Sequence, residues 1–261
     1  MAPPEPVAVS WIKSHYTDRT IILSICDGSA TAAATGIYDG KPITTHATDY
    51  NKLKKQFPKP HWVKDISVTE SGNLYSTAGV SNAVEGSLTV IKKLFGEQTM
   101  QAVLADINYP HQDIKINHQS DVVGAVTIAK IVSKKLFRKN LKVGVLLSDS
   151  VNELELASVL DTYVRTFPKS INTFSLNGKN VSSKYGLSLY PTADLKQNHI
   201  NELHVLTDSL SVFKQAPSIN TSIIKFSTDK KEYPINVCLN RIATLYGTNF
   251  KNCVKLMLDY N

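Results

Sequence analysis

Residues 20–30 read TIILSICDGSA, an apolar run that passes directly into small residues. A strand followed at once by a helix turns sharply, and the side chain at the corner is lifted clear of the sheet. Cys26 occupies that corner. A thiol there can act as a nucleophile, because the amides of a helix N-terminus favour its thiolate and can hold an anion that develops during attack. The amides concerned belong to Asp27, Gly28 and Ser29, and the glycine lets a neighbouring backbone or a ligand come close. The Asp27 carboxylate works the other way, raising the pKa of the thiol beside it. A buried structural cysteine at a strand end fits the same residues.

Cys238 and Cys253 fall in apolar helical runs, which suits small buried hydrophobes. Three widely spaced cysteines make neither a disulfide framework nor a C-x-x-C zinc pair. His111 and His118 lack a third ligand, so no metal is expected. No phosphate loop or dinucleotide fingerprint occurs, and no cofactor is expected either. His46, on an extended stretch, suits a hydrogen-bonded structural histidine or a general base. Glu153 and Glu155 open a helix whose dipole their charges complement.

These residues sit in a chain of 261 with 42% hydrophobic and 20% charged content, the composition of a soluble globular protein. No apolar run is long enough to span a bilayer, and MAPPEPVAVSW has none of the parts of a signal peptide. A cytoplasmic protein without a membrane partner is the expectation. The net charge of +7 is concentrated in Lys130, Lys134, Lys135, Arg138, Lys139 and Lys142, beside an apolar stripe of Val126, Ile128, Ile131, Val132 and Leu136. With no nucleic-acid-binding motif alongside, this reads as a linker helix with a solvated basic face rather than a nucleic-acid site.

Three stretches are expected. Residues 1–110 alternate helices and strands, with WVKDISV and LYSTAG paired as a β-hairpin across residues 70–73. Residues 111–140 form a polar, then basic, linker ending in a helix. Residues 141–261 open on the apolar LKVGVLLSD, continue through a helix at NELELASVLDTYVRTF and strands INTFSL and ELHVLTD, with a helix near Leu195, and end in a helical appendage. Apolar strands alternating with helices predict an α/β fold with a mostly parallel sheet covered on both faces. SLTVIKKLFGEQTMQAVLADINYP also matches CLNRIATLYGTNFKNCVKLMLDYN at an offset of 151, which reads as a duplicated helix pair with Gly96 and Gly247 at equivalent ends.

Several motifs together carry a resemblance: Cys26-Asp27-Gly28-Ser29, then Thr35-Gly36-Ile37-Tyr38-Asp39-Gly40, then Thr44-Thr45-His46-Ala47, then NLYSTAGVSNAVEGSLTVIKKLFG. In this order they resemble the ThiJ/PfpI superfamily, of the isocyanide hydratase and AraC-linked regulator type. VGVLLSDSVNELELASVLDTY is similar to that family's first strand and helix, whose acidic residue falls on Glu155. The resemblance implies a flavodoxin-like, glutamine-amidotransferase-like sandwich. It further implies Cys26 as nucleophile, Glu155 as proton carrier and a homodimer binding a small molecule. Asp27 stands where the hydratases carry threonine or serine, and Ala47 where tryptophan is usual.

The halves run in the opposite order to the family's. Either a first half precedes this sequence, or TIILSI pairs with HVLTD and the halves reassemble as a permuted domain, which would cover two apolar strand edges. Function is expected to be a cysteine-dependent hydratase or hydrolase of a small electrophile. The alternative is a ligand-binding or sensory module that has lost the chemistry.

Overall fold

A computed structural model describes residues 3–122, 124–138, 140–195, 199–206, 221–226 and 232–260. The chain divides into two units: residues 1–106, 111–124 and 255–261 in the first, and 107–110 with 125–254 in the second. The expected linker is therefore split, and the last residues return to the first unit.

In the first unit, α1 (Pro6–His15) leads to β1 (Ile22–Ile25) and α2 (Gly28–Ala34). Strand β2 (Pro42–Ile43), helix α3 (Ala47–Gln56) and β3 (His61–Trp62) follow. The hairpin β4 (Val68–Ser71) and β5 (Leu74–Thr77) forms as expected in kind, although its first strand starts where WVKDISV ends. Strand β1 lies parallel to β5 with Ile22 opposite Leu74, and the sheet runs β1-β5-β4. Ala30, Ala33, Tyr38, Ile43, Leu53 and Trp62 form the core under it. Helix α4 (Ala83–Phe95) crosses the sheet at Gly86, where a Cβ would stand 2.4 Å from Thr77 Cγ2 and 2.9 Å from Leu23 Cδ1. Only glycine allows that approach.

Residues 111–124 are tied to this unit by hydrogen bonds from Ser67 Oγ to the Lys115 carbonyl at 2.6 Å and between Asp65 and Ser120. The chain's end is tied there too. His118 Nε2 meets Asp259 Oδ1 at 2.9 Å with both side chains buried, and Ser81 Oγ donates to the Leu258 carbonyl at 2.9 Å.

In the second unit, α6 (Ala125–Arg138) precedes β6 (Lys142–Leu146), α7 (Glu153–Val164) and β7 (Ser170–Phe174). After the short pair β8 (Val181–Ser182) and β9 (Ser188–Leu189) come β10 (Glu202–Val205) and β11 (Ser222–Lys225). The order β11-β10-β6-β7 is parallel throughout. Leu146, Phe174, Ile200, Leu203 and Val205 pack beneath it. The chain thus has the expected α/β, flavodoxin-like fold class.

The predicted pairing of β1 with β10 does not form. Strand β5 supplies the parallel neighbour of β1, and β10 already has β6 on one side and β11 on the other. Sequence reading missed β11, so it left β10 with an edge to fill. Residues 207 and 208 of ELHVLTD, Lys139, and residues 196–198 after Leu195 lie outside the described residues.

The helix pair α4 and α5 (Glu97–Asp106) has its counterpart in α8 (Pro234–Tyr246) and α9 (Thr248–Leu258). The starts of all four helices and the ends of α4 and α8 keep the offset of 151. Gly96 and Gly247 end α4 and α8 with φ of 86° and 90°.

Candidate functional site

Two residues, Cys26 and Asp27, separate β1 from α2. The turn closes through Ser29 N–H donating to the Cys26 carbonyl at 3.1 Å and Ala30 N–H to the Asp27 carbonyl at 3.0 Å. Making it so tight puts Cys26 at φ 51°, in the left-handed region that non-glycine residues avoid. The strained residue is thus the cysteine; Gly28 carries no positive φ, and open space surrounds the position its Cβ would take. Residues held in this way occur at functional sites because surrounding structure enforces them. Here the enforcement comes from Thr44 and Thr45. Thr45 Oγ1 donates to the Cys26 carbonyl at 3.1 Å, and the Thr44 carbonyl accepts Ser29 Oγ at 2.6 Å.

Cys26 Sγ lies 3.6 Å from Asp27 Oδ1, which it faces as a donor. Burial pushes the thiol up to about 12, with the negative charges of Asp27 and then Asp49 acting in the same direction. The Asp27 amide donates to the sulfur and pulls the other way, but the helix N-terminus does not prevail. Of the two opposing influences expected on this thiol, the raising one is the larger. Ser29, expected among the anion-holding amides, uses its N–H and its hydroxyl on the turn itself.

Asp49 had no signal in the sequence. It sits in the first turn of α3, and its carboxyl is pushed up by burial and by Asp27, to which it hydrogen-bonds. The charge of His46 opposes this rise. His46 caps α3: its Nδ1 accepts the Thr48 amide at 3.1 Å, so a neutral ring carries its proton on Nε2. The hydrogen bond expected under one alternative for His46 is present. Cys26, Asp27, Asp49 and His46 make one acidic thiol site within the first unit.

Glu155 belongs to the second unit. It stands in the first turn of α7, where Asn152 Oδ1 accepts its amide at 3.2 Å, and its charge adds to burial in raising the Cys238 thiol. Cys238 and Cys253 are buried, as expected of small hydrophobes. Among the described residues no group of three or more histidine, cysteine or acidic side chains is placed to hold a metal. Nor is any helix among them long and apolar enough to cross a membrane.

Residues 2–93, which contain this whole site, match the DJ-1/PfpI family. The isonitrile hydratase of Pseudomonas putida is 31% identical over 101 residues, covering 39% of this chain and 43% of the relative. Protein dj-1beta of Drosophila melanogaster is 28% identical over 93 residues, covering 35% and 48%. The chain thus spans about half the length of the curated relatives it matches. The crystal structure of Drosophila DJ-1beta aligns with a TM-score of 0.35 at 24% identity, over 40% of this chain and 54% of that one. An AraC family transcriptional regulator from Pseudomonas putida aligns at 0.33 and 15%, over 45% and 99%. The match to the DJ-1/PfpI family is confined to residues 2–93, from α1 through the elbow into α4.

Proposed function

We propose that the chain is a cysteine-dependent hydratase or hydrolase acting on a small electrophile, with Cys26 as the bond-forming atom. The observation that supports this is Cys26 held left-handed at φ 51° inside the family segment, with open space beside Gly28. Hydration of an isonitrile suits a protonated thiol. The sulfur bonds to the terminal isonitrile carbon while its proton passes to that carbon, giving a thioimidate. Water then adds to the same carbon, the carbon–sulfur bond breaks, and the thiol is restored as an N-substituted formamide leaves. Asp27, 3.6 Å from the sulfur, moves the proton in both halves, and Asp49 shares its hydrogen bond. Asp27 thereby takes the part for which the resemblance pointed to Glu155, and the amides of Asp27 and Gly28 face the addition intermediate.

The test is formation of N-cyclohexylformamide from cyclohexyl isonitrile, followed by mass spectrometry. Turnover that is lost in Cys26→Ser supports the reading, and absence of product from the unaltered protein overturns it. A second reading is a ligand-binding or sensory module, favoured by a thiol raised as far as the buried Cys238. Saturable binding of small electrophiles without product would select it. The resemblance adds a homodimer, and the three free cysteines support the reducing compartment expected of a cytoplasmic chain. Sedimentation equilibrium reads the dimer directly.

A further inference from the structure

The strongest unexplained feature lies on α6. A linker helix is expected to turn its apolar stripe inward, yet Ile128, Val132 and Leu136 remain 50%, 50% and 63% exposed. They are spaced four residues apart, so they form one line along the helix, about 12 Å from end to end. The helix meets its own unit by another side: Ala129, Lys130 and Ser133 line a cleft with the α8–α9 turn at residues 246–250. Residues 125–138 include Lys130, Lys134, Lys135 and Arg138 and no acid. Lys130 and Lys135 are exposed, and Lys135 borders the stripe by helical spacing.

We propose that α6 is a surface anchor that lays Ile128, Val132 and Leu136 into the headgroup boundary of a bilayer rich in anionic lipid. The helix is too short and too charged to span, so it lies in the plane of the interface. An exposed apolar line on a helix with only positive charge matches the two attractions such a surface offers, burial of apolar side chains and a diffuse negative potential. Lysine stems can lie along the apolar line while their ammonium groups reach the headgroups. A second copy is a poorer occupant, because α6 against α6 would set lysine against lysine on a chain already carrying +7. Three anchors over two turns are also little for a specific protein groove, whereas a lipid surface needs no matching shape.

The test is co-sedimentation of the whole chain with vesicles of phosphatidylcholine alone or with about 30 mol% phosphatidylserine. The expected result is binding at least about tenfold stronger to the anionic vesicles, falling steeply as salt rises. Leu136→Asp and Lys135→Glu should each lower it severalfold, with thermal unfolding showing that the variants fold. Val132→Trp provides a readout that needs no loss of binding: its added emission should shift blue on anionic vesicles only. Equal binding to both vesicles, no binding, or no blue shift would overturn the proposal. So would self-association abolished by Leu136→Asp, which would assign the stripe to a second copy.

Discussion

A strand feeds a helix at two comparable places, β1 into α2 and β6 into α7, and the two junctions are built in opposite ways. The first uses two residues and the second six, 147–152. At the longer one Asn152 caps α7, accepting the amides of Leu154 and Glu155 at 2.9 and 3.2 Å, so the first turn is satisfied internally. At the shorter one Asp27 makes no cap hydrogen bond, and its carboxylate faces the sulfur of Cys26. A relaxed, capped junction is a structural joint. A short, uncapped one forces a cysteine into a strained backbone.

Four measurements would sharpen or break this contrast. The largest effect expected is on stability at high pH. Cys26 and Cys238 are both raised from the ordinary 9.0 to about 12, so the unfolded chain releases these protons at lower pH than the folded one. Stability is therefore complete below about 9 and falls as pH rises toward 12, by up to about 1.4 kcal/mol per pH unit for each thiol. Denaturant midpoints across that range should flatten in Cys26→Ala. An unchanged slope would show that the elbow thiol is not shielded.

Next in size is Asp27→Asn, which removes the largest charge acting on Cys26. Its alkylation at pH 8 should quicken by about tenfold, the change that one pKa unit brings. Asp149→Asn, at the second junction, should leave the rates of all three cysteines alone, as peptide mapping would show. Asn152→Ala should cost about 1 kcal/mol of unfolding free energy by loss of the cap, and Asp27→Ala should cost none by that route. The smallest effect concerns strain. Cys26→Gly should stabilise the chain by about 0.5 to 1 kcal/mol, because glycine accepts φ 51° freely. Destabilisation instead would mean that packing of the sulfur outweighs the backbone.

Much of this architecture could be read from local pattern. The apolar runs at β1, β6 and β7, the small-residue helix α2 and the glycine-ended pairs α4–α5 and α8–α9 each announce themselves within a dozen residues. Cys26 was legible because a strand and a helix meet with nothing between them. Which strands pair was not legible, since register is settled by distant partners. Strand β11 was hidden because its SIIK run is largely exposed and lacks the alternation that marks a half-buried strand. Asp49 was hidden for the same reason of distance. Nothing in its own turn of α3 shows that Asp27, 22 positions earlier, lies against it.

The buried pair of His118 and Asp259 bears on the order in which the chain can mature during synthesis. Asp259 and Leu258 follow the whole second unit along the chain, yet they complete contacts of the first. A ribosome therefore releases β1, the elbow and the hairpin long before the residues that seal them exist. Until then the contacts of His118 with Asp259 and of the Ser81 hydroxyl with Leu258 cannot form, and the first unit is completed only after the second is made. Elongation rate and chaperone supply should accordingly govern the yield of the elbow-bearing unit, although the elbow itself is among the first parts to emerge.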